Sequence, residues 1–221
     1  PYVRVRETAL IPVPQEIPPE QACLLTCPIG VAVQGAEDVG KISTGDWVMV
    51  TGASGGLGSH SLQIAKVLGA KTVGVTTSEG KLASLIELGA DDVVPVGELD
   101  FVEIVRALTA EEGANVILDT VGSPLFPSLI RALAQYGRIV LLGEVASGKT
   151  DFSLPELLFR DGSVSGSTGA QIRHVKRAAE LVAEGMVKPV IHAKLPLREV
   201  LTGVGWMAEK QLFGRIVLLP E

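Results

Sequence analysis

Two rhythms of apolar and polar positions alternate along this chain. Short apolar runs at 47–51, 72–76, 92–96, 115–119, 138–142 and 163–166 read as strands. Between them, stretches at 56–69, 79–89, 100–111, 124–134 and 153–160 carry the helical period. Parallel neighbours need a crossover of about a dozen residues, so six strands alternating with helices predict an α/β fold with a doubly wound, six-stranded parallel sheet. The punctuation agrees. Gly69-Ala70 and Gly89-Ala90 stand where helices should end, and Asp100 and Ser123-Pro124 stand where helices should begin.

The two ends depart from this rhythm. Residues 1–20 contain five prolines, and Tyr2-Val3-Arg4-Val5-Arg6 alternates as a short strand would before an extended linker. A helical segment is expected from Pro19 to about Val39, interrupted near Pro28. Beyond Gly169 come a helix near 171–184, the stretch Lys188-Pro189-Val190-Ile191, a helix near 197–209 and a strand from Ile216 to Leu219, which read as part of another lobe. The resulting division is 1–29, 30–168 and 169–221.

Composition narrows the class. The 221 residues are 47% hydrophobic and only 4% aromatic, with 25 glycines, as suits a parallel sheet packed with Val, Ile, Leu and Ala. A net charge of −6 and the lack of a Lys/Arg cluster argue against a nucleic-acid partner. No apolar run reaches the roughly 20 residues that span a bilayer, and no secretory signal opens the chain. With only Cys23 and Cys27 available, no disulfide framework is expected, and a cytoplasmic location is the default. Four apart, the two thiols would lie side by side if their segment is helical.

The richest local chemistry follows the first strand. Gly52-Ala53-Ser54-Gly55-Gly56-Leu57-Gly58 joins Trp47-Val48-Met49-Val50-Thr51 to an amphipathic stretch, with glycine at four of seven positions. Such a turn lets a pyrophosphate approach the backbone, where the N–H groups and dipole of a helix N-terminus attract it. Gly52-x-x-Gly55-x-x-Gly58 varies the dinucleotide fingerprint, with Ala53 where the strict pattern has its first glycine. After the second strand, Thr76-Thr77-Ser78 replaces the acidic residue that would bond a ribose 2′-hydroxyl, and Lys81 follows. Hydroxyls and a cation suit a 2′-phosphate, so NADP(H) is expected over NAD(H). Against that stand a solvated Lys81 and a Glu79 that swings back toward the ribose.

The landmarks together resemble the medium-chain dehydrogenase/reductase superfamily, particularly its zinc-type alcohol dehydrogenases and quinone oxidoreductases. They run in order: Gly45-Asp46-Trp47 through Gly58, Gln63-Ile64-Ala65-Lys66, Leu68-Gly69-Ala70, Lys81, Leu88-Gly89-Ala90-Asp91, Asp119-Thr120-Val121-Gly122, Gly137-Arg138-Ile139-Val140, Leu142-Gly143 and Phe213-Gly214-Arg215-Ile216-Val217-Leu218. The resemblance implies a Rossmann domain flanked by stubs of a catalytic domain whose N-terminal lobe is not in this chain. It implies that Gly52, Gly55, Gly56 and Gly58, with Ala53, Ser54 and Leu57 between them, cradle the pyrophosphate. Thr76, Thr77, Ser78 and Lys81 would surround the adenosine ribose. Thr120, Val121 and Gly122 would lie beside the nicotinamide ribose, Leu142, Gly143 and Glu144 would line the nicotinamide pocket, and Arg215 would reach the pyrophosphate. Asp119 is either a cofactor contact or a cap on its own turn.

Also by resemblance, Cys27 falls on a zinc-ligand position whose partners would come from the absent lobe; the alternative is a small buried thiol. His60, His174 and His192 read as surface or packing histidines, and Asp91-Asp92 and Glu111-Glu112 as solvated loop charges. The implied activity is hydride transfer between a nicotinamide cofactor and a small alcohol/carbonyl or quinone/enone substrate, against the alternative of a non-catalytic NAD(P)H sensor. A homodimer through the sixth strand, Ser163-Val164-Ser165-Gly166, is expected.

Overall fold

The computed structural model describes residues 4–97, 100–210 and 212–220. Six strands form one sheet: β1 (Trp47–Thr51), β2 (Lys71–Thr76), β3 (Asp92–Pro95), β4 (Ala114–Asp119), β5 (Leu133–Leu141) and β6 (Ser163–Gly166). All pair in parallel, in the order β3-β2-β1-β4-β5-β6. This is the Rossmann order, and it reverses between β1 and β4, where such sheets open a crevice beyond their strand ends. The middles of the central strands are apolar because both faces are covered. Val48, Met49 and Val50 of β1 and Val116, Ile117 and Leu118 of β4 are fully buried.

The connecting helices are α1 (Gly58–Val67), α2 (Leu82–Glu87), α3 (Phe101–Leu108), α4 (Phe126–Ala132) and α5 (Leu154–Leu158), followed by α6 (Ile172–Ala183) and α7 (Val200–Ala208). On one face, α1 and α6 share a core with the broken helical run of residues 19–39, through Leu25, Ile29, Val33, Leu62, Ala178 and Leu181 among others. On the other face, Phe101, Val102 and Val105 of α3 meet Phe126, Leu129 and Ile130 of α4. The tail adds a two-stranded parallel sheet of β7 (Ile191–Pro196) and β8 (Arg215–Leu219). It joins the glycine turn through a bridge between Gly55 and Gly214, in which the Gly214 N–H donates to the Ser54 carbonyl at 3.0 Å.

Several expectations are corrected. Arg4 to Arg6 form no strand and lead into a single 3-10 turn, Glu7–Ala9; Tyr2 and Val3 lie outside the described residues. β5 begins at Leu133 rather than near 138, taking the end of the expected helix. Ala132, Leu133 and Ala134 are buried, and Leu133 pairs with Ala114, so burial against β4 overrides the helical period. The 79–89 segment opens as a 3-10 turn, Glu79–Lys81, before α2. Cys23 and Cys27 do not share a helix face. Cys27 is extended (φ −133°, ψ 110°), as a residue before proline tends to be, and it breaks the run ahead of Pro28. It is also exposed, which removes the buried-thiol alternative. Among the described residues no helix is long and apolar enough to cross a membrane.

Candidate dinucleotide site

Apart from Arg215, the first residue of β8, the expected cofactor residues gather along the C-terminal edge of the six-stranded sheet, at the ends of β1, β2, β4 and β5 and on the loops after them. At the reversal point Thr51 and Asp119 meet directly: the Thr51 hydroxyl donates to the Asp119 carboxylate. The same carboxylate accepts the N–H groups of Val121 (3.0 Å) and Gly122 (3.1 Å). Asp119 is fully buried, and desolvation pushes its carboxyl above the usual range against the pull of those donors. It therefore caps its own turn, which decides between its two readings. Thr120 completes the seam, its hydroxyl donating to the Thr51 carbonyl at 2.7 Å while its N–H donates to the Thr51 hydroxyl at 3.0 Å.

The glycine turn is packed by other parts of the protein. A Cβ on Gly58 would lie 2.2 Å from the Gly52 carbonyl oxygen, so the first residue of α1 can only be glycine if the turn is to close. A Cβ on Gly56 would lie 2.1 Å from the Nε of Arg215, whose side chain is laid across the turn. That Nε is buried and has no acceptor among the described residues. Ala53 is fully buried and donates its N–H to the Val75 carbonyl at 3.0 Å, while Leu57 packs at the edge of the core.

Around the end of β2, the hydroxyls of Ser54 and Thr76 are 3.0 Å apart, and the Ser78 N–H donates to the Thr76 hydroxyl at 3.3 Å. Both hydroxyl-bearing residues are buried, whereas Thr77 and Glu79 are exposed. Lys81 is not simply solvated: its ammonium donates to the carbonyls of Lys210 (2.6 Å) and Leu212 (2.7 Å), tying this loop to the tail. Burial lowers its pKa from the usual lysine value. An ammonium has three donors, so one remains for an anion. Beyond β5, Leu142 packs against Gly35 and Gly143 against Thr120. Glu144 accepts from the Ser123 N–H (2.8 Å), the Ser123 hydroxyl (2.9 Å) and the Ala146 N–H (2.8 Å), and those donors, the Ser123 N–H first, hold its carboxyl below the usual range. Its carboxylate is thereby committed to joining the loops after β4 and β5.

Two residues on α1 have roles that the sequence pattern did not assign. His60 is fully buried, with Nδ1 2.7 Å from the Gly56 carbonyl and Nε2 3.0 Å from the Val190 N–H. Gln63 pairs with Lys188, donating to its carbonyl at 3.0 Å and accepting its N–H at 2.7 Å. The readable signal was the i, i+3 spacing of two polar side chains on a helix buried from Gly58 to Ala65. His174 is likewise a packing histidine, bonded through Nε2 to Asp38 at 2.7 Å, and His192 stacks edge-on against Trp206. Asp91, exposed in the bend ahead of β3, is more than a solvated charge: its carboxylate accepts the Thr72 N–H at 2.8 Å and pairs with Lys66 at 2.7 Å.

The arrangement suits a dinucleotide on three counts: a cation with an unmatched buried donor, the N-terminus of a ten-residue helix and a tight turn all meet at Gly56. It does not by itself suit a metal. Among the described residues no three His, Cys, Asp or Glu side chains converge to hold one, so Cys27 stands as a single exposed thiol.

Residues 56–184, more than half of the chain, match the family described as zinc-binding dehydrogenase. The chain belongs to this family of medium-chain dehydrogenases and reductases. The proteins it is similar to differ in the substrates their names state. It is 35% identical to the acryloyl-coenzyme A reductase of Sulfurisphaera tokodaii, over 98% of this chain and 64% of that protein. A solved NAD-dependent alcohol dehydrogenase superposes with a TM-score of 0.87 at 32% identity, over 97% of this chain and 62% of the other. The 2-octenoyl-CoA carboxylase reductase CinF, solved with NADP and 2-octenoyl-CoA, gives a TM-score of 0.88 at 25% identity, over 98% and 53%. The chain thus spans less than two thirds of the length of these relatives.

Proposed function

We propose that this chain forms the NADP(H) site of an oxidoreductase that reduces the carbon–carbon double bond of an activated acyl substrate, with an enoyl thioester as the favoured class. The observation that carries the cofactor reading is Arg215 laid over Gly56 at the start of α1, its buried Nε without an acceptor among the described residues. The substrate class is supported by the acryloyl-CoA reductase and by the 2-octenoyl-CoA complex among similar proteins.

In this reading the glycine turn and Arg215 bind the pyrophosphate through N–H groups and a guanidinium. Thr77, Ser78 and the remaining Lys81 donor bind the ribose 2′-phosphate. Thr120, Val121 and Gly122 hold the nicotinamide ribose, and Leu142, Gly143 and Glu144 keep water from the nicotinamide face. The bound nicotinamide supplies a hydride. Asp119 and Glu144 act through the shape of the loops, since their oxygens are engaged by backbone donors. Zinc enters only as a set in which Cys27 is one ligand and the others lie outside this chain. A second copy pairing along the exposed edge of β6, beside the exposed Leu154, Leu158 and Phe159, is the proposed assembly, in a cytoplasmic setting that keeps both exposed thiols reduced.

Fluorescence titration of the chain with NADPH and NADH tests the cofactor. Tighter NADPH binding is expected, and tighter NADH binding would overturn the reading of Thr77 to Lys81. For the full polypeptide, turnover of NADPH with acryloyl-CoA should exceed that with a simple enone or alcohol. Binding without turnover of any of these would favour a sensor. Light scattering should give a dimer; a monomer at micromolar concentration would refute the pairing.

A further inference from the structure

A closed circuit of contacts runs through the glycine turn and the tail. The Gly56 carbonyl, which can only accept, receives a hydrogen bond from His60 Nδ1–H at 2.7 Å. The His60 Nε2 accepts the Val190 N–H at 3.0 Å, and the Val190 carbonyl accepts the Arg215 N–H at 2.9 Å. The Arg215 side chain returns across Gly56. The two fixed partners leave one tautomer, with the proton on Nδ1. Because the peptide unit is planar and trans, holding the Gly56 carbonyl also sets the opposite-facing Leu57 N–H, one of the donors at the start of α1.

We infer that His60 is a positioning residue for the cofactor pyrophosphate: it fixes the Gly56–Leu57 peptide plane and, through Val190, holds Arg215 over the turn. This deepens the dinucleotide reading and rests on it. The two hydrogen bonds of the ring go to Gly56 and Val190 and to neither ribose loop, so its effect falls on NADPH and NADH alike. Burial supports the role, because desolvation drops the imidazole pKa to about 4 and keeps it neutral with Nε2 available as acceptor.

The test is a double-mutant cycle of dinucleotide binding to the 221-residue chain, using H60F, which keeps an aromatic ring but removes both ring nitrogens, and R215M. Each single variant should weaken both NADPH and NADH by about tenfold, the worth of one charge-assisted hydrogen bond. In the H60F background, R215M should cost less than about twofold more, because the guanidinium is already misplaced. Binding by the wild type with multiplicative losses near hundredfold, or with none in H60F, overturns the role of His60 alone. A wild type that binds neither dinucleotide overturns the site reading and this inference together. Should H60F fail to fold, nitrogen NMR of the wild-type imidazole decides. Nε2 should resonate as an unprotonated acceptor and both ring nitrogens should shift on adding NADPH; an Nε2–H tautomer or unmoved signals would refute the inference.

Discussion

The loop after β1 and the loop after β2 sit side by side at the same edge of the sheet, yet they are held in opposite ways. The first is over-determined. Its glycines are closed on by Gly52, Arg215 and the Gly214 bridge, and its carbonyl at Gly56 is pinned by a buried histidine. Among the described residues the second is anchored at its ends, by the Thr76 hydroxyl and by Lys81, with Thr77 and Glu79 exposed between them. A pyrophosphate is common to both nicotinamide dinucleotides, so rigidity there suits affinity. The 2′-phosphate distinguishes them, and an exposed loop can change its side chains without disturbing the core.

Substitutions at the two loops should therefore differ in kind. The largest effect is expected from G58V. Its Cβ would meet backbone, the Gly52 carbonyl oxygen at 2.2 Å and the Ala53 Cα at 2.8 Å, and neither can move aside as a side chain could. We expect a loss of about 3 kcal/mol in urea unfolding, together with loss of dinucleotide binding. Full stability in G58V would show the turn to be as tolerant as its neighbour.

Next comes acid. His60 has a pKa of about 4 in the folded chain against 6.5 for a free imidazole, through burial first and then the charge of Arg215, which the Gly56 bond only partly offsets. From pH 6.5 down to about 4 the unfolded chain takes up a proton that the folded one refuses, so this stabilisation is lost as pH falls through that window. At its lower end the loss is roughly 3 kcal/mol. Asp91 and Asp100, whose carboxyls are held below their ordinary values by their hydrogen-bonded partners, add losses of their own in acid, and Asp119 opposes them. The difference between wild type and H60F isolates the histidine: the variant should show the shallower slope.

How far these loops were legible follows from what each one depends on. The β1 turn was readable because its constraints are local: a strand, four glycines and a helix declare one another within a dozen residues. The six-stranded parallel sheet followed from the βα rhythm for the same reason. What closes the turn was not readable as geometry. His60, Val190 and Arg215 meet only because the tail returns some 130 residues later, and periodicity carries no information on that contact. Lys81 shows the same limit: as a cation near the second strand it suggested a phosphate or solvent, while two carbonyls of the tail already take two of its donors. The side-by-side placement of Cys23 and Cys27 depended on an unbroken helix, and the bias of Pro28 toward an extended residue before it removes that helix locally.

K81M tests the second loop. It should weaken NADPH by about tenfold through loss of one charged donor, leave NADH within about twofold, and cost less than about 1 kcal/mol of stability. Equal losses for both dinucleotides would mean that Lys81 matters as a latch on residues 210–212 and not as a selector.

The smallest effect is expected from D91N, at the opposite edge of the sheet. Partial burial raises the Asp91 carboxyl, but Lys66 and the Thr72 donors outweigh it and hold its pKa below the ordinary aspartate value. The pair with Lys66 is more than a third exposed on both sides, so it contributes about 0.5–1 kcal/mol at most. Asparagine keeps an oxygen for the Thr72 N–H and loses only the charge. Asp91 acts on Thr72, near the start of β2, whereas the cofactor loop begins at Thr76, the strand's last residue, and the buried residues between them transmit no charge. Dinucleotide affinity should therefore be unchanged while the urea midpoint falls slightly. A measurable change in NADPH binding by D91N would show that β2 shifts as a body, and that the loop at its far end is less independent of the core than its exposure suggests.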